Sequence, residues 1–196
     1  MKNDYCAEAA RNTRRAQEIV ADLRLVECWE AEGIEVRPVG SLAMGLLCKH
    51  RDIDYHLYSS PVEVGKSFAA MARLAEHPRI VRVSYANLLD TEERCLEWHA
   101  VYRDAADEEW TIDLIHIERG SRYDGYFERM AERIRAVLVP ETREAILRLK
   151  GETPDDEHLP GILYYMAVIR DGVRTMSEFR RWLAANPRTG IVEWMP

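Results

Sequence analysis

The sequence has no long apolar run and no excess of positive charge, and each absence excludes a class of function. No hydrophobic stretch approaches the roughly 20 residues that span a bilayer, and residues 1–5 lack the apolar core of a signal peptide. Lysine and arginine number 27 against 34 aspartates and glutamates, which gives a formal net charge of −7. Because duplex nucleic acids are bound mainly through cations that neutralise phosphates, this balance argues against a duplex DNA or RNA partner. We therefore expect a cytoplasmic chain that binds neither membranes nor duplex nucleic acid.

Cysteine is also scarce, and its spacing matches no metal or redox motif. The chain has four cysteines, with no C-x-x-C pair and no zinc-type spacing of cysteine and histidine. They are Cys6, Cys28, Cys48 and Cys95. Because thiols stay unpaired in a reducing compartment, we expect four buried or partly buried cysteines without a chemical role.

The composition is that of a chain that forms a core. Hydrophobic residues make up 47% of the 196 residues and charged residues 31%, which suits one ordinary domain with a small appendage. Apolar residues recur at three- and four-residue spacing over residues 7–32. This spacing predicts an amphipathic helix that ends at Gly33.

The rest of the chain is patterned as an α+β half followed by a helical half. The first half contains strand-like runs at 34–39, 52–58, 80–88, 95–103 and 110–117. It also contains a helix at 61–77 whose apolar stripe is Phe68, Met71, Ala72 and Leu74. Polar residues 104–109 predict a solvated hairpin turn, and helical patterns follow at 123–138, 141–150, 160–171 and 176–185. The helical half is too short for a large core of its own, so we expect it to dock onto the first half, as does the apolar tail at 191–196.

One short stretch holds the residue types that metal and phosphate chemistry need. Gly40 and Ser41 follow a predicted strand, ten residues intervene, and Asp52 and Asp54 open the next strand. Residues two apart on a strand project from the same face, about 6–7 Å apart along the chain. Two adjacent anions favour a cation between them, and carboxylate oxygens suit Mg²⁺. The glycine allows backbone amides to approach a phosphate, and the serine adds a hydroxyl donor.

A third carboxylate, Asp113, lies among aliphatic residues in a later predicted strand. A charged side chain is costly to bury alone, and the position makes sense if Asp113 faces the same metal from a neighbouring strand. Three carboxylates can hold two divalent ions about 3.5–4 Å apart. That arrangement stabilises both the attacking and the leaving oxygen of a phosphoryl displacement.

The stretch resembles the signature of the nucleotidyltransferase superfamily with the DNA polymerase β-like fold. The residues that fill this signature in order are Val39, Gly40, Ser41, Asp52, Ile53, Asp54, Tyr55 and Asp113. The resemblance covers about residues 30–120 at the level of motifs, and the size of the chain is similar to that of small bacterial antibiotic-modifying or minimal nucleotidyltransferases. It implies an α+β fold, with a mixed-sheet catalytic core over 1–120 and a helical C-terminal domain over 121–196.

The resemblance also implies an activity: transfer of a nucleoside monophosphate from an NTP, such as ATP, to a hydroxyl, with release of pyrophosphate. Asp52 and Asp54 would ligate two Mg²⁺ ions, with Mn²⁺ as the alternative ion. Asp113 would ligate the catalytic ion and help to position or deprotonate the acceptor. Gly40 and Ser41 would bind the β- and γ-phosphates.

Other residues near the motif keep two interpretations each. Lys49 and Arg51 meet triphosphate oxygens or are surface charges of a loop. Glu97 and His99 share one strand face, which is the acceptor site with an auxiliary base if that face is the one that carries Asp113. The sequence does not decide the face.

The alternation of His50, Asp52, Asp54 and His56 also permits a mixed histidine and aspartate metal site, as in a zinc or iron phosphohydrolase. We expect His56 instead to lie deeper on its strand as a hydrogen-bonded histidine. In the helical half, Lys150 could touch phosphate, and a tyrosine could stack on the nucleobase. The candidate tyrosines are Tyr126, Tyr164 and Tyr165, although aromatic residues at helical spacing favour a core position.

The expected acceptor is a small hydroxylated molecule, including an antibiotic, and a protein hydroxyl is the second choice. The competing hypothesis is a non-catalytic nucleotide- or partner-binding protein of the same fold, such as an antitoxin. The presence of all three aspartates argues against it. The sequence leaves the NTP, the acceptor and the oligomeric state open.

Overall fold

The computed structural model describes residues 4–187 and 190–196; residues 1–3, used above for the signal-peptide argument, lie outside this part. The chain begins with two helices, α1 (Tyr5–Asp22) and α2 (Leu25–Glu30), where the sequence predicts one. The break falls at Arg24, whose backbone is left-handed with φ 47°. The change of direction allows both Leu25 and Trp29 to be fully buried.

All five predicted strands are present and form a mixed sheet. They are β1 (Glu35–Pro38), β2 (Asp52–Ser59), β3 (Ile80–Asn87), β4 (Cys95–Arg103) and β5 (Glu109–Glu118). The strand order is β1-β2-β5-β4-β3. Strands β2 and β5 are parallel, and the other neighbours are antiparallel. The parallel pair lies in the middle of the sheet, and this pairing brings together two strands that are distant in sequence.

One face of the sheet carries one of the two large hydrophobic cores. Ile53 and Leu57 of β2 and Ile112 and Leu114 of β5 pack there with residues of α1, α2 and α4 (Val64–Ala75). The predicted stripe of α4 is wrong in two positions. Phe68 and Ala72 are exposed, and the buried positions are Ser67, Ala70, Met71 and Leu74. Exposed Phe68 packs edge-on against the Trp98 ring, with 4.6 Å between centroids.

The helical half forms a second core beside the other face. Its elements are α5 (Tyr126–Val137), α6 (Pro140–Glu152), α7 (Gly161–Tyr165), a π-helical turn (Met166–Arg170) and α8 (Met176–Ala185). Ala9, Leu46 and Cys48 of the first half belong to the same hydrophobic cluster, and Val192, Trp194 and Met195 of the tail pack against it. The expected docking of both the helical half and the tail is confirmed.

The hairpin turn between β4 and β5 differs from its prediction at Asp104. This residue is buried, accepts hydrogen bonds from the backbone amides of Ala106 and Glu108 at 2.8 and 3.1 Å, and pairs with Arg15 at 3.3 Å. It therefore organises the turn, whereas Asp107 is solvated as expected. The prediction that this whole segment is a solvated turn is wrong for Asp104.

The thiols are unpaired, as predicted. Cys48 and Cys95 are buried, and Cys6 and Cys28 are partly exposed. Among the described residues, no helix is both long and apolar enough to cross a membrane.

Candidate active site

The three aspartates of the motif line one cavity of about 360 Å³ together with Gly40 and Ser41. Asp52 and Asp54 project from one face of β2, and Asp54 is the register partner of Asp113 in the parallel pair with β5. Neighbouring strands are about 4.8 Å apart, so this register places the carboxylates side by side. The structure thus brings together the residues that the sequence motif singled out.

Gly40 is required where it lies. The residue has a positive φ of 64°, and a Cβ atom there would overlap the carboxylate of Asp54. A backbone hydrogen bond of 3.0 Å from the Val39 amide to the Asp54 carbonyl fixes the same contact. The predicted turn at Gly40 and Ser41 is in fact the start of a short helix, α3 (Gly40–Met44). The glycine therefore connects the phosphate-binding candidates directly to a metal-ligand candidate.

The carboxylates are electrostatically unsatisfied. Burial, followed by the charges of Asp113 and Asp52, raises the pKa of Asp54 to about 7. Burial and the charge of Asp113 also raise the pKa of Asp52. Within residues 4–187 and 190–196, no group donates a hydrogen bond to either of these two carboxylates. A set of oxygen donors that repel one another in a shared cavity fits a hard divalent cation such as Mg²⁺ or Mn²⁺.

Lys150 brings a positive charge to the cavity that the three aspartates line. The residue comes from α6, lines the cavity, and donates from Nζ to the Leu46 carbonyl at 2.8 Å. Burial lowers its pKa to about 8, although the nearby carboxylates of Asp54 and Asp52 act in the opposite direction. The residue is buried and lines the candidate site, which suits the phosphate contact considered for it in the sequence. The signal in the sequence was a lysine directly after the buried apolar run of α6.

Sequence reasoning missed the apolar wall of the cavity. Phe127 and Met130 of α5 form part of it, with Leu159 and Ile162 from the segment around the start of α7. Tyr165, already a candidate from the sequence, lines the same cavity. Tyr165 and Tyr164 are buried, as favoured above. Such wall residues have no distinctive motif, because apolar side chains at helical spacing resemble any other core face.

Lys49 and Arg51 do not line this cavity. Lys49 Nζ is 2.7 Å from Asp155 Oδ1 and also contacts the Thr153 carbonyl, while Arg51 Nη2 is 2.5 Å from Glu108 Oε1. Both line an adjoining pocket of about 620 Å³, which shares His50 and Asp52 with the first cavity. Their side chains are therefore held at the entrance to the site by acidic partners.

His56 lies deep on β2, as expected. Its Nδ1 is 3.3 Å from Glu128 Oε1 and 3.4 Å from the Tyr58 hydroxyl, which donates to the same Glu128 oxygen at 2.7 Å. His50 lies at the opposite end of the cavity beside His158, with 5.5 Å between the ring centroids. His56 thus belongs to a buried network that also involves α5.

Glu97 and His99 lie on the face of the sheet that carries Asp113. His99 and Asp113 are register partners in β4 and β5, and His99 Nδ1 is 2.6 Å from Asp113 Oδ1. Glu97 is opposite Ile115, which also lines the cavity. The structure therefore decides the question of face that the sequence left open.

No protein-family model and no curated protein sequence matches this chain. Solved structures do match its fold. The non-canonical poly(A) polymerase complex GLD-2–GLD-3 is similar at 12% identity, covers 85% of this chain and 55% of that chain, and has a TM-score of 0.60. The Cid1 poly(U) polymerase is similar at 15% identity over 81% of this chain and 49% of that chain, with a TM-score of 0.57.

A cytoplasmic RNA terminal U-transferase is a third similar structure, at 13% identity over 85% of this chain and 51% of that chain, with a TM-score of 0.53. This chain thus spans about half the length of the solved chains that it matches. At such low identities the likeness concerns the fold. The five-stranded mixed sheet with its flanking helices and helical C-terminal part is the nucleotidyltransferase fold.

Proposed function

We propose that this chain is a nucleotidyltransferase that moves a nucleoside monophosphate from an NTP to a hydroxyl of a small molecule. The observation that carries the proposal is the single cavity lined by Asp52, Asp54 and Asp113 beside Gly40 and Ser41. In this reaction the acceptor oxygen bonds to the α-phosphorus, the bond to the bridging oxygen of the β-phosphate breaks, and pyrophosphate leaves. Residues 1–120 are the proposed catalytic core, and residues 121–196 the proposed helical domain that covers it.

The metal ligands in this proposal are Asp52, Asp54 and Asp113, which would hold two Mg²⁺ ions or Mn²⁺ in their place. When bound, such ions neutralise phosphate charge and lower the pKa of a coordinated hydroxyl. The raised pKa values of Asp52 and Asp54 support this role. Where burial and neighbouring negative charges oppose ionisation, a bound cation stabilises the ionised carboxylates. Asp113, on the strand next to β4, would orient the acceptor.

The phosphate side of the site is proposed to be Gly40, Ser41 and Lys150. The backbone of Gly40 lines the cavity, packed against Asp54, and Ser41 beside it supplies a hydroxyl donor for a phosphate oxygen. Lys150 Nζ keeps two further hydrogens beyond the one donated to Leu46, so its ammonium can donate to a phosphate oxygen. Lys49 and Arg51 would meet the triphosphate only after leaving their acidic partners.

The acceptor side is proposed to lie over β5 and β4. Asp113 and Glu97 place negative charge on that side of the cavity, and the whole chain has a formal net charge of −7. This charge disfavours a polyanionic acceptor and favours a small hydroxylated molecule, with a protein hydroxyl as the second choice. The apolar wall formed by α5 and α7 would pack against the nucleobase or the acceptor.

The test is to incubate the full chain with each labelled NTP, Mg²⁺ and a panel of small hydroxylated acceptors, and to measure pyrophosphate release and product labelling. Self-labelling and extension of a single-stranded RNA oligonucleotide are followed in parallel. The double variant Asp52→Asn/Asp54→Asn should lose turnover by about a thousand-fold or more, which is roughly 4 kcal/mol of barrier. Circular dichroism should show that it stays folded.

Each outcome assigns or removes part of the proposal. Labelling of the chain itself or of the RNA would replace the small-molecule acceptor while keeping the transferase. Mg²⁺-dependent NTP binding without any transfer would favour the non-catalytic alternative. Pyrophosphate release by the double variant at the rate of the unmodified chain would show that the assigned site is wrong.

A further inference from the structure

His99 and Asp113 are joined by a short hydrogen bond at the rim of the cavity. The two residues face each other across antiparallel β4 and β5, with 2.6 Å between His99 Nδ1 and Asp113 Oδ1. On its other side, β5 pairs with β2, so that Asp113 is also opposite Asp54. The imidazole therefore reaches the aspartate trio from the side away from Asp54.

The chemistry of the pair fixes the direction of this bond. A carboxylate in its ionised form can only accept, so in the tautomer with hydrogen on Nδ1 His99 donates to Asp113 Oδ1. A charge-assisted hydrogen bond of this length holds both groups in one orientation. The other ring nitrogen, Nε2, lies 3.9 Å from Glu97 Oε2, which is beyond hydrogen-bond distance. Asp113 is thus the hydrogen-bond partner of the ring.

Asp113 needs such a partner more than Asp54 does. Asp54 is confined by the backbone of Gly40, where even a methyl group would overlap its carboxylate. The side chain of Asp113 is 29% exposed at the cavity rim. Among the described residues, His99 is the one that donates a hydrogen bond to the Asp113 carboxylate. Without this hydrogen bond, the Asp113 carboxylate could rotate to other side-chain rotamers toward solvent.

We infer that His99 is a positioning residue for Asp113. It holds the carboxylate through Oδ1, and Oδ2 would then be the oxygen left to ligate a divalent cation shared with Asp52 and Asp54. The inference rests on the proposed function, since it requires the three aspartates to bind metal. Hydrogen bonds to ligating carboxylates commonly orient them, and loss of such a partner typically weakens metal affinity about 10–100-fold.

The experiment measures Mn²⁺ binding by the full chain, from the electron paramagnetic resonance signal of free Mn²⁺. His99→Ala should weaken Mn²⁺ binding about tenfold or more. His99→Asn should restore most of the affinity, because the asparagine amide can donate from near the position of Nδ1. The control is His77→Ala, which removes another partly exposed histidine beside an aspartate, 3.6 Å from Asp22 Oδ2. This variant should bind Mn²⁺ like the unmodified chain.

The results separate the inference from the proposed function. If Asp113→Asn itself leaves Mn²⁺ affinity unchanged, the proposed metal site is wrong. If Asp113→Asn weakens binding while His99→Ala binds as well as the unmodified chain or more tightly, the site stands and the inference is overturned. A deficit in His99→Asn as large as that in His99→Ala would overturn it as well, because the donated hydrogen bond would then not be the cause.

Discussion

The two faces of the central sheet are made by the same strands, but one is an apolar core and the other carries the carboxylates of the cavity. On one face Ile53, Leu57, Ile112 and Leu114 are buried against α1, α2 and α4. On the other, Asp52, Asp54 and Asp113 line a cavity under the helical half. Asp113 and Leu114 are neighbours in sequence, and the alternation of a strand sends one to each face.

The difference shows where stability and chemistry are separated in this molecule. The core face gains free energy from apolar burial, at about 25 cal/mol per Å² removed from water. The cavity face instead holds carboxylates in surroundings that raise the pKa values of Asp52 and Asp54. We therefore expect substitutions on the cavity face to remove activity and to leave stability unchanged or increased. Substitutions on the core face should lower stability and leave the activity of the folded chain nearly unchanged.

The largest expected effect on stability is that of Asp54→Asn without metal. The folded chain raises the pKa of Asp54 from 3.8 to about 7, so the folded state binds more protons than the unfolded state between these values. Asp54 therefore lowers stability progressively as the pH rises from about 4 to about 7. In EDTA, the free energy of unfolding of Asp54→Asn should nearly equal that of the unmodified chain at pH 4. At pH 8 it should be higher by up to about 4 kcal/mol.

Urea unfolding of both proteins at several pH values checks this prediction. Added Mg²⁺ should reduce the advantage of Asp54→Asn, because the cation compensates the carboxylates of the unmodified chain. An advantage that is the same at pH 4 and pH 8 would mean that ionisation of Asp54 is not opposed by its surroundings.

The adjacent pair Asp113 and Leu114 offers the sharpest comparison of the two faces. Leu114→Ala should lower the free energy of unfolding by about 3 kcal/mol, within the range of 2–5 kcal/mol typical of buried leucines, and leave the turnover of the folded fraction nearly unchanged. Asp113→Asn should remove turnover and change stability little. Thermal unfolding and pyrophosphate release are measured on both variants. If both lose stability equally, the two faces are not energetically distinct.

A pH dependence of opposite sign belongs to the core face. His116 is fully buried between Ser59 and Ser67, with ring nitrogens 2.8 and 3.2 Å from their hydroxyls. Burial lowers its pKa from 6.5 to about 4, so the unfolded state binds more protons between these values. The contribution of neutral His116 to the free energy of unfolding is fully present above pH 6.5. This contribution should decline by about 3 kcal/mol as the pH falls to 4.

The Asp54→Asn variant reveals this decline best, because Asp54 and His116 act in opposite directions over the same pH range. In EDTA the variant should therefore show a steeper loss of stability on acidification than the unmodified chain. Equal slopes in urea unfolding between pH 6.5 and 4 would contradict the assignment of one or both groups.

The smallest expected effect on stability distinguishes two glycines of similar conformation. Gly40 and Gly45 both have positive φ angles, 64° and 68°, at either end of α3. The left-handed backbone alone should cost an alanine at either position roughly 1–2 kcal/mol of stability. Only the Cβ at position 40 meets the carboxylate of Asp54, whereas that at position 45 meets nothing within 4 Å. Turnover should be lost in Gly40→Ala and kept in Gly45→Ala, and equal turnover in the two would disprove the role of the contact.

Much of the fold followed from local patterns. The five strands and the helical second half were predicted because periods of two and of three to four residues mark which side of each element is buried. The errors arose where contacts distant in sequence decide the outcome. Arg24 breaks the first helix so that Leu25 and Trp29 can be buried, and Phe68 is exposed because α4 turns Ser67 toward Trp98 and His116.

The sequence by itself determined which residues are candidates, since the spacing of Asp52 and Asp54 and the alternation around Asp113 depend only on the geometry of a strand. Tertiary structure alone decided how they meet. The parallel register of β2 with β5 sets Asp113 opposite Asp54, α6 brings Lys150 to the same cavity, and β4 supplies His99. These placements depend on the packing of segments up to a hundred residues apart, and no local pattern encodes such a distance.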